Sequence, residues 1–231
     1  NYIRKKNSPT ILKTRYLDNY TKSKISGVYD INDDDLNKKE EKNFLNKVSK
    51  HILKYDLVLV VDYGHGLITP KIVHLIEKKP IFIAVNTQLN SLNASFHSIS
   101  KYKKVDYVCM HDGELRHDYR DRNESTEKLV LKLAKRINSK IIIITFGNKG
   151  SLSYKKRKFT YCPAFANKIV DRIGAGDTLI AITSLCNRLN VPEEITLLIG
   201  NIAAAQTVEK MGTGGILSKI NVLNSINYLN K

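Results

Sequence analysis

The order of elements along this chain predicts an α/β protein, a mainly parallel sheet covered by helices. Two observations predict it. Apolar runs at 57–61, 81–85 and 141–144 have strand length and no polar alternation, as in strands buried on both faces. Segments with apolar residues at helical spacing separate those runs, so strand and helix alternate.

The elements follow in order. Residues 11–17 and 24–31 read as a hairpin around the polar turn Asp18-Asn19-Tyr20-Thr21. Asp33-Asp34-Asp35 caps a helix reaching about Leu53, with Leu36, Phe44, Leu45, Val48 and Ile52 on one face. Strand 57–61 leads through Thr69-Pro70 into a helix with proline in its first turn. Residues 81–85, 107–110 and 141–144 are buried strands, and 125–137 is a helix. Residues 152–154 and 158–161 pair as a hairpin turning on Lys155-Lys156-Arg157. Helices near 178–188, 193–209 and 220–229 complete the chain. No internal repeat or low-complexity linker interrupts it.

A chain of 231 residues can bury one good core. No apolar run approaches the ~20 residues of a transmembrane helix. The start, Asn1-Tyr2-Ile3-Arg4-Lys5-Lys6, lacks the apolar core of a signal peptide, and the absence of a Met there reads as a fragment or processed chain. Cys109, Cys162 and Cys186 form neither a zinc spacing nor a disulfide framework, so a reduced, cytoplasmic protein is expected. The net charge of +16 comes from lysines scattered through helices and turns, without an arginine stripe or zinc knuckle. That reads as a solvated basic surface able to steer phosphorylated ligands, with no nucleic acid and no membrane as partner.

The most informative stretch is Asp171-Arg172-Ile173-Gly174-Ala175-Gly176-Asp177. It joins a β-prone segment, 168–170, to an apolar helix beginning near Thr178. Gly-Ala-Gly opening a helix leaves bare backbone N–H groups aimed at one spot with the helix dipole behind them. Such a spot holds a phosphate or a developing oxyanion. A carboxylate beside it, Asp177, suits a base that takes a hydroxyl proton during phosphoryl transfer. The alternative is a helix N-cap, a role Asp also favours. The suspicious residues fall at four strand ends, where α/β sheets bind ligands: Asp62 and Gly64, Glu114, Gly147, and Asp177. There is no Walker A pattern, and Gly64-His65-Gly66 lacks the third glycine of a dinucleotide fingerprint.

Asp-x-x-Gly-Ala-Gly-Asp followed by a helix resembles the signature of ribokinase-like (PfkB) carbohydrate kinases. Further segments resemble the family in order. Residues 57–66, ending Asp62-Tyr63-Gly64-His65-Gly66, resemble the strand and "DYGKG" turn of the kinase domain in bifunctional heptose-phosphate kinase/nucleotidyltransferases. Lys13-Thr14-Arg15-Tyr16 resembles their "KTRY" strand, and 145–150 their nucleotide-site turn. Asn201 through Gly212-Thr213 resembles their last nucleotide-side helix.

The resemblance implies a three-layer α/β/α sandwich, with residues 1–231 forming one kinase domain and the hairpin at 11–31 a lid within it. Family members carry more than a hundred residues before the Lys-Thr-Arg strand, so the domain is expected to be N-terminally incomplete in this chain. The activity implied is transfer of phosphate from ATP, with Mg2+, to a hydroxyl of a sugar or sugar phosphate. Asp177 would be the general base, and Gly174, Ala175 and Gly176 the anion hole. Thr145, Gly147 and Gly150 would serve the nucleotide, or simply turn a strand into a hairpin. Asn201 would face adenine, or be an ordinary polar helix residue. Glu114 would order magnesium-bound water. Arg172 either touches the phosphate or lies on the surface, and Asp171 is structural or supports the residues that touch ligand. A fused or associated nucleotidyltransferase and a homodimer are the implied partners.

Three departures stand out. His111 replaces the Asn of Asn-x-x-Glu, Asn86-Thr87-Gln88 replaces Asp-Pro-Lys, and His65 replaces the Lys of the "DYGKG" turn. They motivate a second expectation, a catalytically weak sugar- or nucleotide-binding module partnering a nucleotidyltransferase. A kinase for a nucleoside or vitamin alcohol is a third.

Overall fold

The computed structural model describes residues 2–21, 24–89, 98–209 and 217–229. The N-terminal hairpin forms as expected: β1 (Leu12–Leu17) pairs antiparallel with β2 (Lys24–Asp30) in a two-stranded sheet of its own. Helix α1 (Lys38–His51) follows. Its cap is Asn37 rather than the three preceding aspartates. Asn37 accepts from the amides of Lys39 and Glu40, and Glu40 reaches back to the Asn37 amide, a reciprocal capping box that Asp33–35 cannot form.

The main sheet has six strands in sequential order: β3 (Leu57–Asp62), β4 (Phe82–Thr87), β5 (Tyr107–His111), β6 (Ile141–Thr145), β7 (Ser151–Lys155) and β8 (Lys158–Cys162). The first four are parallel; β7 and β8 run antiparallel around Lys156 and Arg157, both at positive φ. That backbone is the two-residue turn that matches strand twist. Helices α2 (Pro70–Glu77), α3 (Asp112–Tyr119) and α4 (Thr126–Arg136) connect the parallel strands, and α5 (Ala175–Arg188), α6 (Glu193–Val208) and α7 (Lys219–Leu229) complete the chain.

Strand alternation divides the apolar runs between two cores, which makes the three layers. Ile83, Val85, Val108, Met110, Ile142 and Ile144 face α2, α3 and α4. Ala84, Tyr107, Cys109, Ile141 and Ile143 face Leu179 and Ile180 of α5 and Leu197 of α6. The α5–α6 approach is close because Gly200 has no side chain: a Cβ there would sit 2.6 Å from Thr183 Cγ2.

Three further expectations need correction, and one helix is new. Strand β3 is only half-buried for most of its length, because it is an edge of the described sheet. Residues 168–170 are not a strand; the amides of Val170 and Asp171 both donate to Val208 O at the end of α6, which draws the segment off the sheet. Helix α5 begins at Ala175, three residues before Thr178, so Ala175-Gly176-Asp177 is its first turn. Helix α3 was not anticipated. Gly212 and Thr213 lie outside the described residues.

Candidate active site

Beyond the carboxyl ends of β4, β5 and β6 lies a cavity of about 350 Å³, closed by the start of α5 and the last turns of α6. Glu114, Thr145, Gly147, Gly150, Ala175, Gly176 and Asn201 all line it, as does Arg172. Gly174 and Asp177 stand beside that lining. Apolar atoms of Met110, Phe165, Ile169 and Leu179 supply much of the rest, which sequence patterning could not assign because three of the four also read as core or strand residues.

The α5 end is built by its glycines. Gly174 is the N-cap at φ 81°, a left-handed conformation that suits glycine. The first bond within the helix runs from Thr178 N to Gly174 O at 2.9 Å. The amides of Ala175, Gly176 and Asp177 therefore have no carbonyl inside the helix. A Cβ on Gly176 would meet nothing within 4 Å, so space opens in front of that turn.

Asp177 is the third residue of α5, not its cap. Its carboxylate is held by residues from two other strand ends. Gln88 Nε2 donates to Oδ1 at 3.1 Å, and Tyr63 Oη lies 3.3 Å from each carboxylate oxygen. Burial, then the charge and hydrogen bonding of Asp177, push the Tyr63 phenol up to about 12, so it stays a donor. Lys13 Nζ of β1 lies 5.2 Å from the Tyr63 ring centroid and 3.4 Å from His65 Nε2, which brings the hairpin to the edge of this group. The roles of Tyr63 and Gln88 were missed from sequence; the only signal was their place after β3 and β4.

Asp62, by contrast, turns inward. It is 2% exposed, accepts from Tyr102 Oη at 2.6 Å and Gly64 N at 3.1 Å, and pairs with Lys101 at 2.5 Å. It braces the turn after β3 rather than facing the cavity.

Glu114 is the third residue of α3 and accepts His111 N at 2.7 Å and Leu89 N at 3.0 Å. Burial raises its pKa above the ordinary carboxylate value, against the lowering effect of those two amides. His111 Nδ1 accepts Gly113 N at 3.0 Å and caps α3. The imidazole thus performs the capping job that an Asn would do, with its proton on Nε2. Asn86 is buried and donates to Cys109 O at 2.9 Å.

The turn after β6 is set by two glycines, Gly147 at φ 62° and Gly150 at φ 99°. Asn201 is 6% exposed, and its Nδ2 donates to Ser151 Oγ at 2.7 Å and Leu197 O at 2.9 Å. It presents to the cavity a side chain already tied to β7.

Among the described residues, no group of three or more His, Cys, Asp or Glu could hold a metal ion as an all-protein cage. Magnesium usually keeps several waters and binds through one or two carboxylates plus substrate phosphates. One carboxylate on the cavity wall, Glu114, fits that habit.

Sheet, helix layers and cavity together define a ribokinase-like α/β/α protein. Ribokinase of Arabidopsis thaliana, complexed with ribose and ATP, superposes with TM-score 0.71 over 94% of this chain and 69% of its own, at 18% identity. Phosphofructokinase-2 of Escherichia coli, in complex with fructose-6-phosphate, gives TM-score 0.66 over 89% and 67%, at 16% identity. At that identity the likeness establishes the fold. The family follows from sequence: the profile of the pfkB family carbohydrate kinases matches residues 2–220, and the chain belongs to that family. Curated relatives include the bifunctional protein HldE of Aliarcobacter butzleri (strain RM4018), 27% identical over 190 residues, covering 78% of this chain and 38% of the relative. HldE of Helicobacter pylori (strain G27) is 26% identical over 211 residues, covering 88% and 44%. The chain thus spans about two fifths of the length of these relatives. Among the described residues no helix is long and apolar enough to cross a membrane.

Proposed function

We propose that this chain is the kinase part of a protein that transfers the γ-phosphoryl group of ATP to a hydroxyl of a sugar or sugar phosphate, a heptose phosphate in the first instance. The observation that carries the reading is the first turn of α5: Ala175 and Gly176, whose amides have no carbonyl inside the helix, line the cavity, and Asp177 follows them in the same turn.

In this reading the triphosphate occupies the cavity between the Gly147–Gly150 turn and α5. The acceptor hydroxyl lies between the γ-phosphorus and Asp177. As its oxygen bonds to phosphorus and the bond to the bridging oxygen breaks, Asp177 takes the hydroxyl proton and ADP departs. Amides of residues 174–176 take up charge on the transferring group; positioning and electrostatics of this kind supply most of such catalysis. Thr145, Gly147 and Gly150 serve the nucleotide, and Asn201 supports its pocket through Ser151. Glu114 would hold a magnesium-bound water near the phosphates, and the ion when bound offsets phosphate charge. Lys13 at the hairpin edge and the net charge of +16 favour an acceptor already phosphorylated. A nucleotidyltransferase, attached or associated, is the proposed partner, because the relatives are bifunctional. A homodimer and a cytoplasmic location belong to the same proposal, as does the division into one domain, 1–231, with the 11–31 hairpin as lid.

One observation favours the second reading, a weak or silent binding module: both Glu114 oxygens already accept backbone amides. ADP release measured with ATP, magnesium and a panel of hexose and heptose phosphates separates the two. Turnover on a phosphorylated sugar supports the kinase. Calorimetric binding of ATP with no turnover on any acceptor overturns it in favour of the module.

A further inference from the structure

We infer that Gln88 and Tyr63 are positioning residues, a two-donor clamp that fixes the Asp177 carboxylate toward the acceptor. The inference rests on the reading of Asp177 as the base. Three elements that are distant in sequence converge on one carboxyl group: the end of β4 through Gln88, the turn after β3 through Tyr63, and the first turn of α5. A carboxylate on a helix start, left to itself, samples several rotamers. Gln88 engages one oxygen, and Tyr63 straddles both.

The supports of the clamp are themselves fixed. Leu89, next to Gln88, donates its amide to Glu114 Oε1 at 3.0 Å, which pins the strand end that carries Gln88. The Tyr63 ring stacks on His65 with an interplanar angle of 5° and has Lys13 Nζ 5.2 Å from its centroid. The Tyr63 contacts are long for an O–H donor, as catalytic hydrogen bonds often are before substrate tightens them.

The test uses Tyr63→Phe, Gln88→Met and the double variant in the full-length protein, beside Asp177→Asn, with ATP, magnesium and the sugar-phosphate panel. Both single variants keep shape and lose the donor. We expect kcat to fall by about 10- to 100-fold in each; in Tyr63→Phe, a residue outside the cavity lining, the KM for ATP and its calorimetric affinity stay within about twofold. The double variant should approach Asp177→Asn. Single variants that keep the parent kcat, beside an inactive Asp177→Asn, overturn the clamp and leave the base intact. An equal loss of ATP affinity and kcat in Tyr63→Phe assigns that residue to folding and also overturns it. Full activity in Asp177→Asn, or a parent protein without turnover, removes the base and the clamp together.

Discussion

A Cβ placed on Gly150 would lie 2.1 Å from the carbonyl oxygen of Cys162. The turn after β6 therefore passes against the end of β8 at a distance only glycine permits, in a left-handed conformation besides. Gly147, three residues earlier, is also left-handed, but a Cβ there would meet nothing within 4 Å.

The two glycines should respond differently to alanine. Gly150→Ala adds a backbone clash to the strain and is expected to cost more than about 3 kcal/mol, a Tm loss of roughly 6 °C or more. Gly147→Ala carries strain alone, about 1–2 kcal/mol. Because Gly147 lines the cavity, its substitution should raise the KM for ATP at nearly unchanged kcat. Thermal melts and steady-state kinetics on the two variants check both statements.

Asp62 gives a prediction of the opposite kind, stability without chemistry. Its carboxylate is buried and gathers Lys101, Tyr102 and the Gly64 amide. Asp62→Ala leaves a lysine and a phenol without that partner and should destabilise by about 3–5 kcal/mol in urea titration. The KM for ATP of the folded fraction should stay within about twofold, since Asp62 does not line the cavity.

Alkaline pH should expose the buried tyrosines. Burial raises the pKa of Tyr63, Tyr102, Tyr107 and Tyr119 above the ordinary value of about 10. The folded chain holds those protons after the unfolded chain has released them. Stability is thus intact below about pH 10 and declines as pH rises from there, with Tyr63 ionising at about 12. Phenolate absorbance should show a late cooperative step coincident with unfolding. Gradual ionisation of every tyrosine near pH 10 would contradict the burial.

Much of the fold was legible because its signals are local. Ile141–Ile144 is a β-branched apolar run of strand length, and Pro70 marks a helix start by its ring geometry. The errors arose where a distant partner decides. Val208 O captures the amides of Val170 and Asp171, and Asn37 outcompetes three aspartates because Glu40 completes its cap. Helix α3 was hidden because His111 is an unusual cap. In the site, Gly-Ala-Gly-Asp announced itself by composition. Tyr63 and Gln88 did not, since nothing in their neighbourhood of sequence points to residue 177.

The decisive measurement is ADP release by Asp177→Asn in the full-length protein, with ATP, magnesium and the best acceptor of the sugar-phosphate panel. With Asp177 as the base, kcat falls by about 10²–10⁴-fold with ATP affinity preserved, since the amide cannot accept the hydroxyl proton. A variant that turns over at close to the parent rate would contradict that role.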